Sequence, residues 1–271
     1  MIFVKLKGGF ANQVFILAFI NQICRNGEKV LFVTNSLQSY KTKRNLELGN
    51  FFNLSEYKRY KFKYINPFFY IFLNILFSFR FLTINDNNFN EYLNKKITKK
   101  YFPNIVNGYF QFYNTENLNK FKTQIDKLKI KSLLKYHVKK YPIVMHIRGG
   151  DFLNLNQYNF IDFNYYKKAI EQISQNNIKN ILVVTDDILY SEKIIERLSK
   201  IFKKTKFSIQ NSNIKDDFYS FVYAERIILT NSTFSLIASY FSSAKNIISP
   251  SRFLSNGLRP SKFENERIIE V

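Results

Sequence analysis

Short apolar runs rich in β-branched residues alternate with helical stretches near both ends of this 271-residue chain. That alternation restricts it to α/β architectures built on largely parallel sheets. The first cycle has strands expected at Ile2 to Leu6 and Lys29 to Thr34, with a helix at Asn12 to Arg25 between them. A second series starts with a strand at Ile143 to Ile147, a helix near Asn164 to Ser174 and a strand at Asn180 to Thr185. It continues with a helix at Tyr190 to Phe202, a strand at Lys206 to Ile209, a helix at Asp216 to Ala224 and a strand at Arg226 to Leu229. A helix at Thr233 to Tyr240 and a strand at Asn246 to Ser249 close it. Between the two series lie a less regular stretch, about residues 38 to 115, and an amphipathic segment, Thr115 to Lys135. With the link placed in the Lys-rich turn before Pro142, the expected domains are residues 1–138 and 139–271, each Rossmann-like, facing a cleft. Ligands of parallel sheets collect at the carboxyl ends of the strands, so a nucleotide-linked substrate suits such a pair.

Composition narrows the partners. The chain carries 41 Lys and Arg against 20 Asp and Glu, a formal +21, which attracts phosphate as nucleic acid, anionic lipid or a phosphorylated ligand. The bland alternative is a solvated basic surface. The excess is spread along the chain, with no zinc-finger or RRM-like signature, so nucleic acid is not the expected partner. Cys24 is the only cysteine, and with His137 and His146 the only histidines, no disulfide and no His/Cys zinc site can be assembled. A reducing compartment follows, and the start at Met1 to Leu6 reads as a strand and not as a secretory signal. The expected location is therefore cytoplasmic.

One stretch complicates that placement. Tyr64 to Phe79 holds 16 uncharged, mostly large apolar residues flanked by Lys61, Lys63 and Arg80. It is short of the ~20 apolar residues a spanning helix needs. Either it is a buried helix, or it lies in a membrane interface with its basic flanks on lipid headgroups.

Four constellations can carry chemistry, and each follows an apolar strand. Lys7-Gly8-Gly9-Phe10-Ala11-Asn12-Gln13 lets backbone amides approach an anion at a helix N-terminus, or is simply a tight turn. It matches neither the Walker nor the GxGxxG pattern. Met145-His146-Ile147-Arg148-Gly149-Gly150-Asp151 sets a planar guanidinium at a strand end, suited to a pyrophosphate, with His146 and Asp151 as catalytic groups or as groups orienting Arg148. Thr185-Asp186-Asp187 offers a carboxylate to ribose or a guanine edge, unless Asp187 caps the next helix. Leu229-Thr230-Asn231-Ser232-Thr233-Phe234-Ser235 offers hydroxyl and amide donors to phosphate oxygens, with ordinary N-capping as the competing account. No two Asp residues are separated by a single residue, so the Asp-x-Asp pair that commonly holds a metal on a nucleotide-sugar is missing. Charge on a leaving group would then fall to Arg148, neighbouring lysines and helix N-termini.

In this order the elements resemble glycosyltransferase family 11, the bacterial and animal alpha-1,2-fucosyltransferases. The family's Gly-Gly-x-Gly-Asn-Gln is similar to Gly8-Gly9-Phe10-Ala11-Asn12-Gln13, and its His-x-Arg-Arg-Gly-Asp-Tyr to His146-Ile147-Arg148-Gly149-Gly150-Asp151-Phe152. Its Gly-Tyr-Phe/Trp-Gln is matched by Gly108-Tyr109-Phe110-Gln111 and its Ser-Asp-Asp by Thr185-Asp186-Asp187. Its Ser-Asn-Ser-Thr/Ser-Phe-Ser is matched by Thr230-Asn231-Ser232-Thr233-Phe234-Ser235. Ala11 replaces a glycine, Gly149 the second arginine, and Leu236-Ile237 a Trp pair; the loss of a cation at Gly149 would lower donor affinity or alter donor use.

The resemblance implies a GT-B fold and an inverting, metal-independent transfer of fucose from GDP-fucose to the 2-hydroxyl of a galactoside in bacterial surface polysaccharide or O-antigen synthesis. Residues 139–271 would bind the GDP-sugar and 1–138 the acceptor. Arg148, Asp151 and His146 are the implied catalytic residues, with Arg148 on the pyrophosphate and Asp151 or His146 as base. Gly8, Gly9, Asn12, Gln13, Asp187, Asn231, Ser232, Thr233 and Ser235 join Arg148 as donor-binding residues. No cofactor is expected beyond the donor substrate; a galactose-containing oligosaccharide or a lipid-linked acceptor, and an anionic membrane, are the further partners. Two rivals stand: a transferase using another GDP-sugar or linkage, and a non-catalytic basic protein binding membrane or nucleic acid.

Overall fold

The computed structural model describes residues 1–24, 28–38, 43–52, 60–79, 83–88, 104–111, 141–150, 161–173, 178–254 and 266–270. They belong to two compact units, residues 1–133 and 134–271. The amphipathic segment at 115–135 and Asp151 lie outside the described residues.

The first unit runs β1 (Ile2–Lys5), α1 (Phe10–Ile23), β2 (Val30–Val33), α2 (Asn35–Gln38), α3 (Leu48–Phe51), β3 (Tyr60–Lys63), α4 (Pro67–Ser78), β4 (Thr83–Ile84) and β5 (Asn104–Val106). Its five strands are all parallel, in the order β3-β2-β1-β5-β4. α1 contains no charged residue and is buried almost all round, from Phe10 to Ile23. A helix without a polar face is stable only when enclosed on every side. β3 to β5 fall in the stretch that the sequence presents as irregular. β3 reads Tyr-Lys-Phe-Lys on an edge, and β4 and β5 are too short to show a period, so these strands form only because β1 and β2 give them a template.

The second unit runs β6 (Ile143–Ile147), α5 (Phe163–Ile173), β7 (Asn180–Thr185), α6 (Ile188–Ile201), β8 (Lys206–Gln210), α7 (Ile214–Val222), β9 (Arg226–Ile228), α8 (Thr233–Tyr240), β10 (Asn246–Pro250) and β11 (Glu266–Ile269). Six parallel strands lie in the order β11-β10-β9-β6-β7-β8. All five residues of β6 are buried, as a central parallel strand covered on both faces requires. The core packs Met145, Ile147, Val183, Ile228 and Ile248 against Tyr166, Ile170 and Leu198. The elements of this unit match the sequence expectations to within a few residues at their ends, and β11 is an addition to them.

In each sheet the strand order reverses beside the first strand, between β1 and β5 and between β6 and β9. The carboxyl ends of these strands are where an open α/β sheet leaves a crevice.

Candidate functional site

In the second unit, three strand ends meet at the reversal. Arg148 follows directly on β6, and its Nη1 lies 2.7 Å from Asp186 Oδ2, just past β7. Asp186 Oδ1 also accepts the Gly149 amide at 3.0 Å. One carboxylate thus holds both the guanidinium and its backbone, with the Arg148 and Asp186 side chains 20% and 31% exposed. A half-screened pair of this kind adds little stability, and its value lies in direction.

Asp187 has a different task. Its Oδ1 accepts the Tyr190 amide at 3.0 Å as the N-cap of α6, and its Oδ2 accepts the Gly150 amide at 3.0 Å. These two amides, Tyr190 first, hold its carboxyl below the usual value. The capping account of Asp187 is therefore the one the geometry realises, and Asp186 is the carboxylate on Arg148. The sequence offered no means of choosing between two adjacent acids.

Gly149 is buried under Asp187, and a Cβ there would lie 2.7 Å from Asp187 Cβ. Gly150 adopts φ +55°, a left-handed conformation that suits glycine. With the loop in this form position 149 has no room for a side chain, so the departure at Gly149 is a matter of space as much as of charge.

His146 occupies the penultimate position of β6 and is 3% exposed, with its ring edge-on to Phe221 and Phe234. Burial, aided by the Arg148 charge, lowers its pKa to about 3, and Nδ1 has no hydrogen-bond partner among the described residues. The ring, enclosed by phenylalanines, supports the strand end, and its burial favours the neutral form.

The turn after β9 completes the group. The β6/β9 pairing runs from Ile143 beside Arg226 to Met145 beside Ile228, so Arg148 and the Asn231 turn both follow the carboxyl ends of neighbouring strands. The buried Tyr166 hydroxyl faces both the Thr230 side chain and the Arg148 backbone, and desolvation pushes it well above the usual phenol value. Tyr165, beside it on α5, donates to Leu229 O at 2.6 Å and fixes the end of β9. Asn231 Nδ2 donates to Phe253 O at 3.2 Å, and Ser232 Oγ accepts the Phe234 amide at 3.3 Å as the cap of α8. Ser235 Oγ turns back to Ser232 O at 3.3 Å and is fully buried, whereas Thr233 is partly exposed.

The first unit builds a comparable turn at its own reversal. Gly8 has φ +77°, and a Cβ on it would come within 2.4 Å of Asn12 Nδ2. Gly9 opens α1 with no side-chain cap and with nothing within 4 Å of a Cβ position. Gln13 is fully buried; its Nε2 donates to Gly8 O at 3.1 Å and Asn45 O at 2.8 Å, while its Oε1 accepts the Glu47 amide at 3.2 Å. Those bonds make Gln13 a support of the loop.

Asn12 Oδ1 accepts Gln111 Nε2 at 2.6 Å, which brings the Gly108 to Gln111 motif onto the glycine loop. Asp86, a residue nothing in the sequence singled out, takes the amides of Tyr109 at 2.9 Å and Phe110 at 2.6 Å. It holds Phe110 at φ 55°, its ring stacked 4.0 Å from that of Phe19. Lys7 Nζ stands 4.2 Å over the Tyr109 ring, and burial lowers its pKa against the pull of Asp86. Among the described residues no group of three or more His, Cys, Asp or Glu could hold a metal ion.

Two open parallel sheets, each with a glycine-bearing loop where its strand order reverses, make this an α/β protein of the GT-B type. The chain belongs to glycosyl transferase family 11, whose model matches residues 1–265, and it is a glycosyltransferase. Its fold is similar to that of POFUT1 in complex with GDP, with a TM-score of 0.50 at 12% identity over 92% of this chain and 96% of that one. POFUT1 in complex with GDP-fucose matches at 0.48 and 13% identity, over 90% and 94% of the two chains. The E. coli heptosyltransferase WaaC with ADP matches at 0.48 and 8%, over 99% and 92%. No curated protein matches the sequence.

Proposed function

We propose that this protein transfers fucose from GDP-fucose to the 2-hydroxyl of a galactoside, with inversion and without a metal ion, in bacterial surface polysaccharide synthesis. The observation that carries the reading is the Arg148 guanidinium, fixed by Asp186 at the end of β6. Family membership supports sugar transfer, and POFUT1, of like fold, has been solved with GDP-fucose.

In this reading residues 139–271 bind the donor and 1–138 serve the acceptor. Departure of GDP leaves negative charge on the diphosphate, and a preoriented guanidinium stabilises that charge more in the transition state than in the ground state. Asn231, Ser232 and Thr233, at the start of α8, add donors beside it. Asp187 keeps the Arg148 loop in place through Gly150. The Gly8-Gly9 turn, with open space at Gly9 and Asn12 at its edge, is a second anion-binding turn. Asp151, which follows Gly150 in the sequence, takes the proton of the acceptor hydroxyl. The absence of any Asp-x-Asp pair supports the metal-free course. A cytoplasmic site and a sugar-bearing oligosaccharide or lipid-linked acceptor complete the reading.

The test is incubation with GDP-fucose and a panel of galactosides in the presence of a chelator, followed by linkage analysis. An alpha-1,2-fucosylated product supports the reading. Transfer only from another GDP-sugar, or another linkage, overturns it.

A further inference from the structure

Among the described residues, α4 carries the most exposed apolar surface. Of its twelve residues, none charged, only Leu73 and Phe77 are buried, packed against Val33, Ile65 and Ile105. Phe68 is 82% exposed, Phe72 55% and Ile75 53%, and Phe69, Ile71 and Phe79 are exposed beside them. A helix that is apolar all round is ordinarily enclosed, and a soluble surface rarely keeps so many large apolar groups together. The helix is nonetheless well made, with Asn66 Oδ1 accepting the Phe68 amide and Pro67 in the first turn. Its outer face is thus a stable feature that something else must cover.

We propose that α4 docks this protein on an anionic lipid bilayer, with its outer face in the headgroup region. Charge selects this partner. From Tyr57 to Asn85 the sequence has five basic residues and no acidic one, and Lys61 and Lys63 are exposed on the strand that leads into the helix. Two copies meeting through this face would bring like charges together, whereas anionic headgroups neutralise them. Tyr64, exposed between the lysines and the helix, is an amphipathic ring of the kind that settles at a membrane surface. At twelve residues α4 is ~18 Å long, against ~30 Å of bilayer hydrocarbon, so it lies along the surface. No described helix is long and apolar enough to cross a membrane. Asn74, on the same helix, accepts a hydrogen bond from Lys5 Nζ at 2.9 Å. Lys5 ends β1, so docking through α4 would bring the carboxyl end of that strand, and the glycine loop after it, near the headgroups.

The test uses the full chain and vesicles of phosphatidylcholine, with or without phosphatidylglycerol. A protein of charge +21 adheres to anionic vesicles at low salt whatever α4 does, so the reading is taken after salt has been raised to screen that attraction. Wild type is expected to co-sediment with the anionic vesicles under those conditions. Phe72→Asp with Ile75→Asp should reduce the bound fraction about tenfold or more, with an unchanged circular dichroism spectrum. The chain has no tryptophan, so Phe72→Trp supplies a single reporter, whose emission should move to the blue and be quenched by lipids brominated in the acyl chain. Binding by the double variant equal to wild type, or a Trp that is not quenched, overturns the proposal. So does a wild type that ignores vesicles and elutes as a dimer which the double variant abolishes. GDP-dependent thermal stabilisation, measured on each variant, reports on the donor site separately, so failure here is distinct from failure of the proposed reaction.

Discussion

At the scale of single residues, Arg148 and Asp186 form one device, and their variants should differ in kind. Arg148→Ala removes the group proposed to meet the leaving diphosphate, and transfer should fall by about 10²–10³-fold or more with the melting temperature nearly unchanged. Asp186→Asn keeps the cation and the acceptor for the Gly149 amide but releases the guanidinium from its fixed direction. It should lower kcat by a smaller factor, and transfer assays on both, with folding checked by circular dichroism, measure the order. His146 gives a prediction about pH. Its folded pKa of about 3 lies below the free value of 6.5, so between these limits only the unfolded chain takes the proton. Stability should therefore decline as pH falls from about 6.5 toward 3, by up to about 1.4 kcal/mol per pH unit from this residue. Urea melts of wild type and His146→Phe across that range should show a shallower slope for the variant. An identical slope would mean that the ring is not held neutral.

At the scale of elements, two neighbouring glycines in the β1-α1 turn make a controlled comparison. Gly8 sits at φ +77° with Asn12 against it, so Gly8→Ala should cost roughly 1–3 kcal/mol by strain and by displacing the Asn12 side chain. Gly9 has φ −73° and open space, so Gly9→Ala should alter stability by less than about 0.5 kcal/mol. If that space admits an anion, the same methyl should weaken GDP-dependent stabilisation, which thermal shift measures directly. Helix starts were legible here because capping is local: Asp187 and Ser232 lie within three residues of the amides they accept. The strands β3, β4 and β5 were not, since their partners are set by sheet order and not by their own two to four residues. α4 could be read as a helix, but whether its outer face was covered depended on what packs beside it.

For the molecule as a whole, the second unit has its own core and its own complete sheet. Expressed as residues 134–271, it should unfold cooperatively and bind GDP in isothermal titration, more weakly than the full chain, since Arg148 and the Asn231 turn lie within it and the Gly8-Gly9 turn does not. A fragment that folds without binding GDP would place the donor elsewhere. Sequence by itself determined the α/β class, the approximate helix starts and the ordered motifs of the family. Each of these is encoded within a few residues of chain. Only the tertiary structure decided that Asp186 and not Asp187 holds Arg148, that His146 is buried among phenylalanines, that Gln13 supports its loop and that the outer face of α4 is exposed. Ion pairs, desolvation and exposure depend on distances through space between segments remote in the chain, and no local pattern records them.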